Sequence, residues 1–210
     1  MGVRCIIFDC DGVILESVSV KNDAFARLGG DISPEAQEKL LQYHLANLGV
    51  SRFAKFAWLY HELYGRDITA EESGEMGTAF ACYCLEAVQA APFVPGFLDV
   101  LDRWQGVVPM YVASGTPQAE LAQVLEMRGI VSRFAGIYGT PPEKKLLLEH
   151  IIADAGVSPG ATIMVGDSST DMRAAEHAGT LFYGRGSHFS RTRYPWHADL
   201  TQLNNYLEFI

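Results

Sequence analysis

The sequence predicts an α/β fold in which a mostly parallel sheet lies between layers of helices. Residues 4–8 form a short, apolar, non-alternating segment, which is typical of a strand buried on both faces. From residue 92 onward, short apolar segments alternate with helical patterns, as in chains that build parallel sheets. Between them, residues 17–91 repeat apolar side chains every three or four positions, which predicts amphipathic helices inserted after the first strand.

The inserted segment contains two clear helix starts. Ser33 and Thr69 each place a hydroxyl group just ahead of proline or acidic residues, the usual chemistry of a helix N-terminus. We therefore expect a discontinuous α/β core, residues 1–16 and 92–210, and an inserted helical bundle domain, residues 17–91.

The remaining chain predicts four further strands separated by helices. The strands are expected at 108–113, 134–138, 161–165 and 180–183, and the helices at 97–104, 118–128, 144–155 and 170–178. The carboxyl ends of parallel strands meet at one edge of the sheet, where ligands bind in open α/β folds. Polar residues just after each strand are therefore the candidates for a site.

The composition excludes several classes of protein. The chain has 210 residues, 49% hydrophobic and 20% charged, with a net charge of -9, which is ordinary for a globular fold. The acidic balance argues against nucleic acid and membrane surfaces as partners. No apolar run reaches about 18 residues, and no signal-like leader precedes the first strand. The four cysteines lack zinc-site spacing, which favours a reducing, cytoplasmic setting.

Asp9 and Asp11 directly follow the first predicted strand. Two carboxylates at the end of a buried strand are costly without a cation between them. Gly12 then permits a turn that other residues would resist. The pair predicts a metal site and a possible nucleophile at the sheet edge.

Three more polar clusters follow later predicted strands. They are Ser114-Gly115-Thr116, Pro141-Pro142-Glu143-Lys144-Lys145 and Gly166-Asp167-Ser168-Ser169-Thr170-Asp171. Each alone is ordinary turn chemistry. Together they put a hydroxyl, a lysine and further carboxylates at the edge that carries Asp9.

In chain order, these clusters resemble the four motifs of the haloacid dehalogenase-like (HAD) superfamily. The matching positions are Asp9-Cys10-Asp11-Gly12-Val13, Ser114, Lys144 and Gly166 to Asp171. The resemblance covers essentially the whole chain, because the inserted helices look like the family's cap domain. It implies a Rossmann-like three-layer core with a helical cap, and a hydrolase of the phosphoglycolate phosphatase or β-phosphoglucomutase-like subgroup.

The resemblance also implies roles for the acidic residues. Asp9 would be the nucleophile and a Mg²⁺ ligand, with Asp167 as a second side-chain ligand and the backbone carbonyl of Asp11 as a third. Asp11 would protonate the leaving oxygen and later deprotonate water. Oxygen ligands of this kind suit Mg²⁺.

The phosphoryl oxygens would be held by Ser114, Gly115 and Lys144. Lys144 is preferred to Lys145 by spacing, since a helix that begins near this point turns Lys145 about 100° away. Asp171 would orient Lys144 or complete the outer shell of the metal site.

Asp11 also separates reaction classes, because the dehalogenating branch of the family lacks an aspartate at this position. The expected function is a Mg²⁺-dependent phosphatase that acts on a small phosphorylated metabolite through an aspartyl-phosphate on Asp9. The alternative is a phosphomutase of the β-phosphoglucomutase type. That subgroup carries a histidine where this chain has Lys21, and a lysine does not shuttle protons near neutral pH without a large pKa shift, so hydrolysis is favoured.

Two cap residues are candidate substrate contacts. Arg52 ends Gly49-Val50-Ser51-Arg52, which resembles a β-phosphoglucomutase-like segment whose arginine binds a substrate phosphate. An exposed arginine in the first turn of a helix is the alternative. Lys21 either attracts an acidic substrate or is a solvated helix lysine.

Aromatic residues in the same insertion are expected in the core of the bundle rather than on a sugar-stacking surface. They are Phe53, Phe56, Trp58 and Tyr60.

Two functions of other classes compete with the enzyme. A receiver-type signalling module also combines acids, a hydroxyl and a lysine at strand ends, but it is shorter and carries its phospho-accepting aspartate on a later strand. A catalytically inactive relative used for binding is the other alternative. The sequence identifies neither the substrate nor the oligomeric state, and phosphoglycolate, sugar phosphates and nucleotides all fit.

Overall fold

The computed structural model describes residues 2–210, the side chains of Glu86 and Gln89 excepted. Its centre is a six-stranded parallel sheet in the order β3-β2-β1-β4-β5-β6. The strands are β1 (Cys5–Phe8), β2 (Met110–Pro117), β3 (Gly136–Thr140), β4 (Thr162–Gly166), β5 (Leu181–Arg185) and β6 (Trp196–His197). This is the order of a doubly wound Rossmann-like fold, which confirms the predicted class.

The helices form two groups along the chain. Between β1 and β2 lie α1 (Val18–Ile32), α2 (Pro34–Ala46), α3 (Arg52–Tyr64), α4 (Ala70–Ala90) and α5 (Phe97–Trp104). The later helices are α6 (Gln118–Met127), α7 (Lys144–Ala155), α8 (Ser169–Ala178) and α9 (Leu203–Phe209). Helices α1 to α4 are called the cap helices below.

Both predicted helix starts in the cap are present. The Ser33 side chain accepts a hydrogen bond from the N–H of Ala36 at 3.0 Å. Thr69 and Glu72 form a reciprocal capping box at the start of α4. These caps use N–H groups that the first helical turn leaves without partners.

Strand β2 is longer than predicted. The sequence places Ser114-Gly115-Thr116 after a strand that ends at residue 113, whereas the strand continues to Pro117. Its register against β3 shifts between Ala113 and Pro117, so pairing resumes at Pro117 and Thr140. Backbone pairing with a neighbouring strand therefore outweighs the turn character of these three residues.

The end of the chain adds elements that the sequence analysis missed. Strand β6 has two residues and α9 has seven, too few for a periodic pattern to show. Leu200, Leu203 and Leu207 are nevertheless buried, and they anchor this segment to the core.

Apolar side chains cover both faces of the sheet. Ile6 and Phe8 of β1 point into one cluster, and Cys5 and Ile7 point into the other. The first cluster continues into the cap helices through residues such as Phe25. Because this core is continuous, the division into residues 1–16 with 92–210 and residues 17–91 stays a prediction.

The surface features agree with the composition. No helix within residues 2–210 is both long and apolar enough to span a bilayer. All four cysteines are free thiols. The cytoplasmic location stays a prediction.

Candidate active site

Asp9 and Lys144 meet at the carboxyl end of the central strand. The N–H of Asp9 donates to the carbonyl of Val165 on β4 at 3.0 Å, which ties the residue to the sheet edge. Asp9 is 3% exposed, and Lys144 Nζ lies 2.9 Å from Asp9 Oδ1. Lys145 is exposed and pairs with Glu143 at 3.0 Å. The first turn of α7 thus directs Lys144, and not Lys145, toward Asp9.

Asp171 holds Lys144 from the other side. Lys144 Nζ lies 2.5 Å from Asp171 Oδ1, while Asp171 Oδ2 accepts hydrogen bonds from the N–H and hydroxyl of Ser168 at 3.0 and 2.6 Å. Burial opposes it, but the charges of Asp171 and Asp9 hold the pKa of Lys144 above its usual value. Asp171 was predicted either to orient Lys144 or to complete the outer shell of the metal site. Its contact with Lys144 suits the first of these roles. Ser168 was assigned no role, although its spacing to Asp171 is that of a capping box.

Three carboxylates at this edge could approach one cation. Asp9, Asp167 and Asp171 each offer an oxygen within 4.8 Å of the others. Both oxygens of Asp171 are already engaged, so Asp9 and Asp167 are the better ligands. Gly12 has a φ of 74°, and a Cβ there would lie 2.1 Å from Asp167 Oδ2. Glycine at this turn therefore keeps the space that Asp167 occupies.

The electrostatics of Asp9 and Asp167 fit a cation site. Burial raises the pKa of Asp9 to about 7, even though Lys144 lowers it. Burial also raises the pKa of Asp167 well above its usual value, and the charges of Asp9 and Asp171 add to the effect. Two carboxylates that resist ionisation together are the kind of donor set that a divalent cation stabilises.

Asp11 has a different environment, at the boundary with the cap helices. Ser17 and Thr116 donate hydroxyl hydrogen bonds to its carboxylate at 2.6 and 3.1 Å, and Lys21 forms an ion pair with it. Burial alone would raise the pKa of Asp11, but the charge of Lys21 and these hydrogen bonds hold it below its usual value. Lys21 also donates to Thr116 at 2.8 Å, so its description as a solvated helix lysine is wrong.

The predicted phosphate-binding segment is only partly at the cavity surface. Gly115 and Thr116 line the cavity that contains Asp9, whereas Ser114 is fully buried and does not line it. The Ser114 hydroxyl accepts the N–H of Thr116 at 3.1 Å. Thr116 was assigned no role, although it belongs to the same polar cluster in the sequence. A phosphate contact by Ser114 stays a prediction.

The cavity lies between the cap helices and the sheet edge. Its cap-side lining includes Lys21, Phe25, His44, Arg52, Lys55 and Phe80. None of the four aromatic residues singled out from the sequence lines it. Phe56 is fully buried, as expected, but Phe53 is 39% exposed, so a core position for Phe53 is wrong.

The loop between α2 and α3 touches the core directly. The Thr170 hydroxyl donates to the carbonyl of Leu48 at 2.7 Å. A Cβ at Gly115 would lie 2.6 Å from the carbonyl oxygen of Gly49. The loop that carries Arg52 to the site therefore rests on the backbone of a predicted phosphate-binding segment.

Arg52 is 5% exposed, so the alternative of an exposed arginine is wrong. Its Nη2 lies 2.5 Å from Glu120 Oε2 of α6, and its guanidinium carbon lies 4.4 Å from the ring centroid of Phe80. Its Nη1 is buried without a hydrogen-bond partner among the described residues.

Lys55 and His44 were missed by the sequence analysis. One signal was available: the buried residues of α3 are Arg52, Lys55, Phe56 and Leu59, which share one face at helical spacing. A lysine within an apolar stripe is unusual for a solvated side chain.

Most of the chain matches one protein-family model. Residues 3–179 match the model described as haloacid dehalogenase-like hydrolase. The chain belongs to this family. The resemblance drawn from the four motifs is therefore confirmed, and the receiver-module alternative has no support.

Relatives of this HAD-like hydrolase are phosphatases. It is 26% identical to phosphoglycolate phosphatase of Vibrio parahaemolyticus over 192 residues, which span 87% of this chain and 83% of the relative. It is 28% identical to phosphoglycolate phosphatase of Pseudomonas putida over 190 residues, 86% of this chain and 68% of the relative. This hydrolase is thus an enzyme of the phosphoric monoester hydrolase class.

The same fold occurs in β-phosphoglucomutase of Clostridium difficile. The TM-score is 0.80 at 19% sequence identity, with 99% of this chain and 96% of that chain covered. At this identity the likeness concerns the fold.

Proposed function

We propose that the protein is a Mg²⁺-dependent phosphatase that hydrolyses a small phosphorylated metabolite through an aspartyl-phosphate on Asp9. The observation that carries the proposal is the placement of Asp9, which is buried at the end of the central strand between Lys144 and the carboxylate of Asp167. A nucleophile, a fixed positive charge and a cation site at one strand end are what phosphoryl transfer requires.

The residues at this edge fit Mg²⁺. The side chains of Asp9 and Asp167 and the backbone carbonyl of Asp11 would hold the ion. When bound, it supplies positive charge that offsets the repulsion between a carboxylate and a phosphate dianion.

The chain's own residues then divide the chemistry. An oxygen of Asp9 attacks phosphorus while the ester P–O bond breaks, and the leaving oxygen takes a proton from Asp11. Lys144 and the Ser114-Gly115 segment hold the phosphoryl oxygens. Water then attacks phosphorus and gives a proton to Asp11, which releases inorganic phosphate and restores the carboxylate of Asp9.

The contact between Lys21 and Asp11 constrains this cycle. Lys21 favours the ionised form of Asp11, which suits the second step, in which Asp11 accepts a proton. For the first step, Lys21 must release Asp11 so that Asp11 can carry a proton to the leaving oxygen.

The relatives direct the choice of substrate. Because two of them are named phosphoglycolate phosphatase, 2-phosphoglycolate is the first substrate to test. The mutase alternative is tested in the same assay, since a mutase isomerises a sugar phosphate while a phosphatase releases inorganic phosphate.

The test of the nucleophile is the Asp9→Asn variant, assayed with p-nitrophenyl phosphate with and without Mg²⁺. We expect kcat to fall by about a thousandfold or more, as for other covalent nucleophiles, while the melting temperature shows an intact fold. The exposed Asp23 on α1 provides a matched control, and Asp23→Asn should retain wild-type turnover. Retained activity in Asp9→Asn would contradict the assignment of Asp9 as the nucleophile.

A further inference from the structure

Lys55 is a buried cation held by a neutral base. It is 2% exposed, and its Nζ lies 2.7 Å from His44 Nδ1. His44 Nε2 lies 2.8 Å from Asn22 Oδ1, which can only accept, so the ring proton is on Nε2 and Nδ1 accepts from Lys55. Burial, together with the charges of Lys55 and Lys21, lowers the pKa of His44 to about 3, in keeping with a neutral ring.

Lys55 differs from the other cations of the cavity in its partners. Lys21 pairs with Asp11, and Arg52 pairs with Glu120. Lys55 has no carboxylate partner among the described residues; its Nζ contacts His44 and lies 4.9 Å from the ring centroid of Phe25. Buried lysines are rare unless paired, because burial penalises the charged form.

Because Lys55 has no carboxylate partner among the described residues, its charged form is poorly compensated. Burial, with the nearby charge of Lys21, lowers the pKa of Lys55 to about 7, although Asp11 acts in the opposite direction. An anion placed beside Nζ would supply the compensation that the described residues lack.

The cavity is where such an anion can come from. Lys55 and Arg52 line the same cavity as Asp9, and Arg52 Nη1 is a buried donor without a hydrogen-bond partner among the described residues. We propose that Lys55, held by His44, is a specificity residue that binds a second anionic group of the substrate, a carboxylate or a phosphate, apart from the phosphoryl group transferred to Asp9. This inference rests on the proposed phosphatase function and narrows its substrates to phosphate esters that carry a second acidic group.

The test compares three substrates with Lys55→Met. Two carry a second anion, 2-phosphoglycolate and ethylene glycol bisphosphate, and p-nitrophenyl phosphate carries none. We expect kcat/KM to fall by about tenfold or more for a substrate with a second anion, mainly through KM, and to change less than about twofold for p-nitrophenyl phosphate. A loss confined to 2-phosphoglycolate identifies a carboxylate, and a loss confined to the bisphosphate identifies a phosphate.

Lys39→Met is the matched control, because Lys39 is a more exposed cap lysine paired with Glu35 within its own helix. Lys55→Gln removes the charge but keeps a donor for His44, and it replaces Lys55→Met should the latter fail to fold. An equal loss on all three substrates, or no loss on either substrate that carries a second anionic group, would overturn the inference.

Failure of the proposed function would look different. If the wild-type protein turns over none of the three substrates with Mg²⁺, the proposed phosphatase function is contradicted, but the binding role of Lys55 is not. Calorimetric binding of 2-phosphoglycolate and of ethylene glycol bisphosphate to wild type and Lys55→Met then decides the Lys55 contact. Weaker binding of either ligand to the variant supports the contact, and equal binding of both overturns it.

Discussion

Asp9 and Asp11 are two positions apart in the chain but have opposite electrostatic environments. Asp9 is surrounded by other carboxylates, and burial raises its pKa to about 7 despite Lys144. Asp11 has Lys21 and two hydroxyl donors, which outweigh burial and hold its pKa low. Without a bound cation the proton therefore favours Asp9 over Asp11, and a cation beside Asp9 and Asp167 would favour the ionised form that Asp9 needs to act as a nucleophile.

A prediction at the residue scale concerns His44. Its folded-state pKa of about 3 lies below the ordinary histidine value of 6.5, so the unfolded chain binds the proton more tightly. The stability contributed by the neutral ring is complete above pH 6.5 and is lost as pH falls toward 3. Between pH 6.5 and 4 we expect wild type to lose roughly 2–3 kcal/mol of unfolding free energy more than His44→Gln.

Urea unfolding at the two pH values measures this difference. Glutamine can still accept a hydrogen bond from Lys55, so the variant removes the titration and keeps the contact. His188→Gln, at an exposed position, should follow the wild-type pH dependence. Parallel curves for wild type and His44→Gln would contradict the prediction.

At the scale of elements, the α2–α3 loop is positioned by contact with strand β2. The carbonyl oxygen of Gly49 lies 2.6 Å from where a Cβ of Gly115 would be, and the hydroxyl of Thr170 at the start of α8 donates to the carbonyl of Leu48. The loop in turn sets the start of α3, the helix that carries Arg52 and Lys55. These two backbone contacts thus position two cationic side chains.

The corresponding prediction is that Gly115→Ala separates the loop from the core. A Cβ 2.6 Å from a backbone oxygen cannot be accommodated by a side-chain movement. We expect a loss of about 1–3 kcal/mol in stability and about tenfold in kcat/KM. Gly160→Ala serves as the control, because its Cβ would meet nothing within 4 Å. Wild-type kinetics in Gly115→Ala would show that the loop contact is dispensable.

At the scale of the whole molecule, one apolar cluster joins the cap helices to the sheet, while the carboxylates at the sheet edge carry more negative charge than Lys144 offsets. Phe8 of β1 and Phe25 of α1 belong to the same cluster. Binding of a cation to Asp9 and Asp167 should therefore stabilise the molecule as a unit, rather than one part of it.

This predicts a Mg²⁺-dependent melting temperature. At ten times the dissociation constant, Mg²⁺ should add about 1.4 kcal/mol to the unfolding free energy. Asp167→Asn should lose most of this gain, and Asp23→Asn should keep it. The measurement is thermal unfolding across a Mg²⁺ titration at constant ionic strength. Equal stabilisation of Asp167→Asn and wild type would contradict the assigned ligand.

Much of the fold and of the candidate site could be predicted from the sequence, because the features concerned are local. The apolar strand before Asp9, the capping residues Ser33 and Thr69, and the order of the motifs each lie within a few consecutive residues. In a parallel sheet, motif order along the chain also brings Asp9, Lys144 and Asp167 to one edge. The end of β2 was predicted too early because its pairing with β3 involves residues far apart in the chain.

The sequence by itself thus determined the fold class, the family and the side chains at the sheet edge. Only the tertiary structure decided that Lys55, His44 and Arg52 face the cavity and that Lys21 pairs with Asp11. Helical periodicity shows which residues share a face, but not what covers that face. Burial and partners arise from contacts between distant segments, such as Arg52 with Glu120, and these contacts decide which charges remain uncompensated.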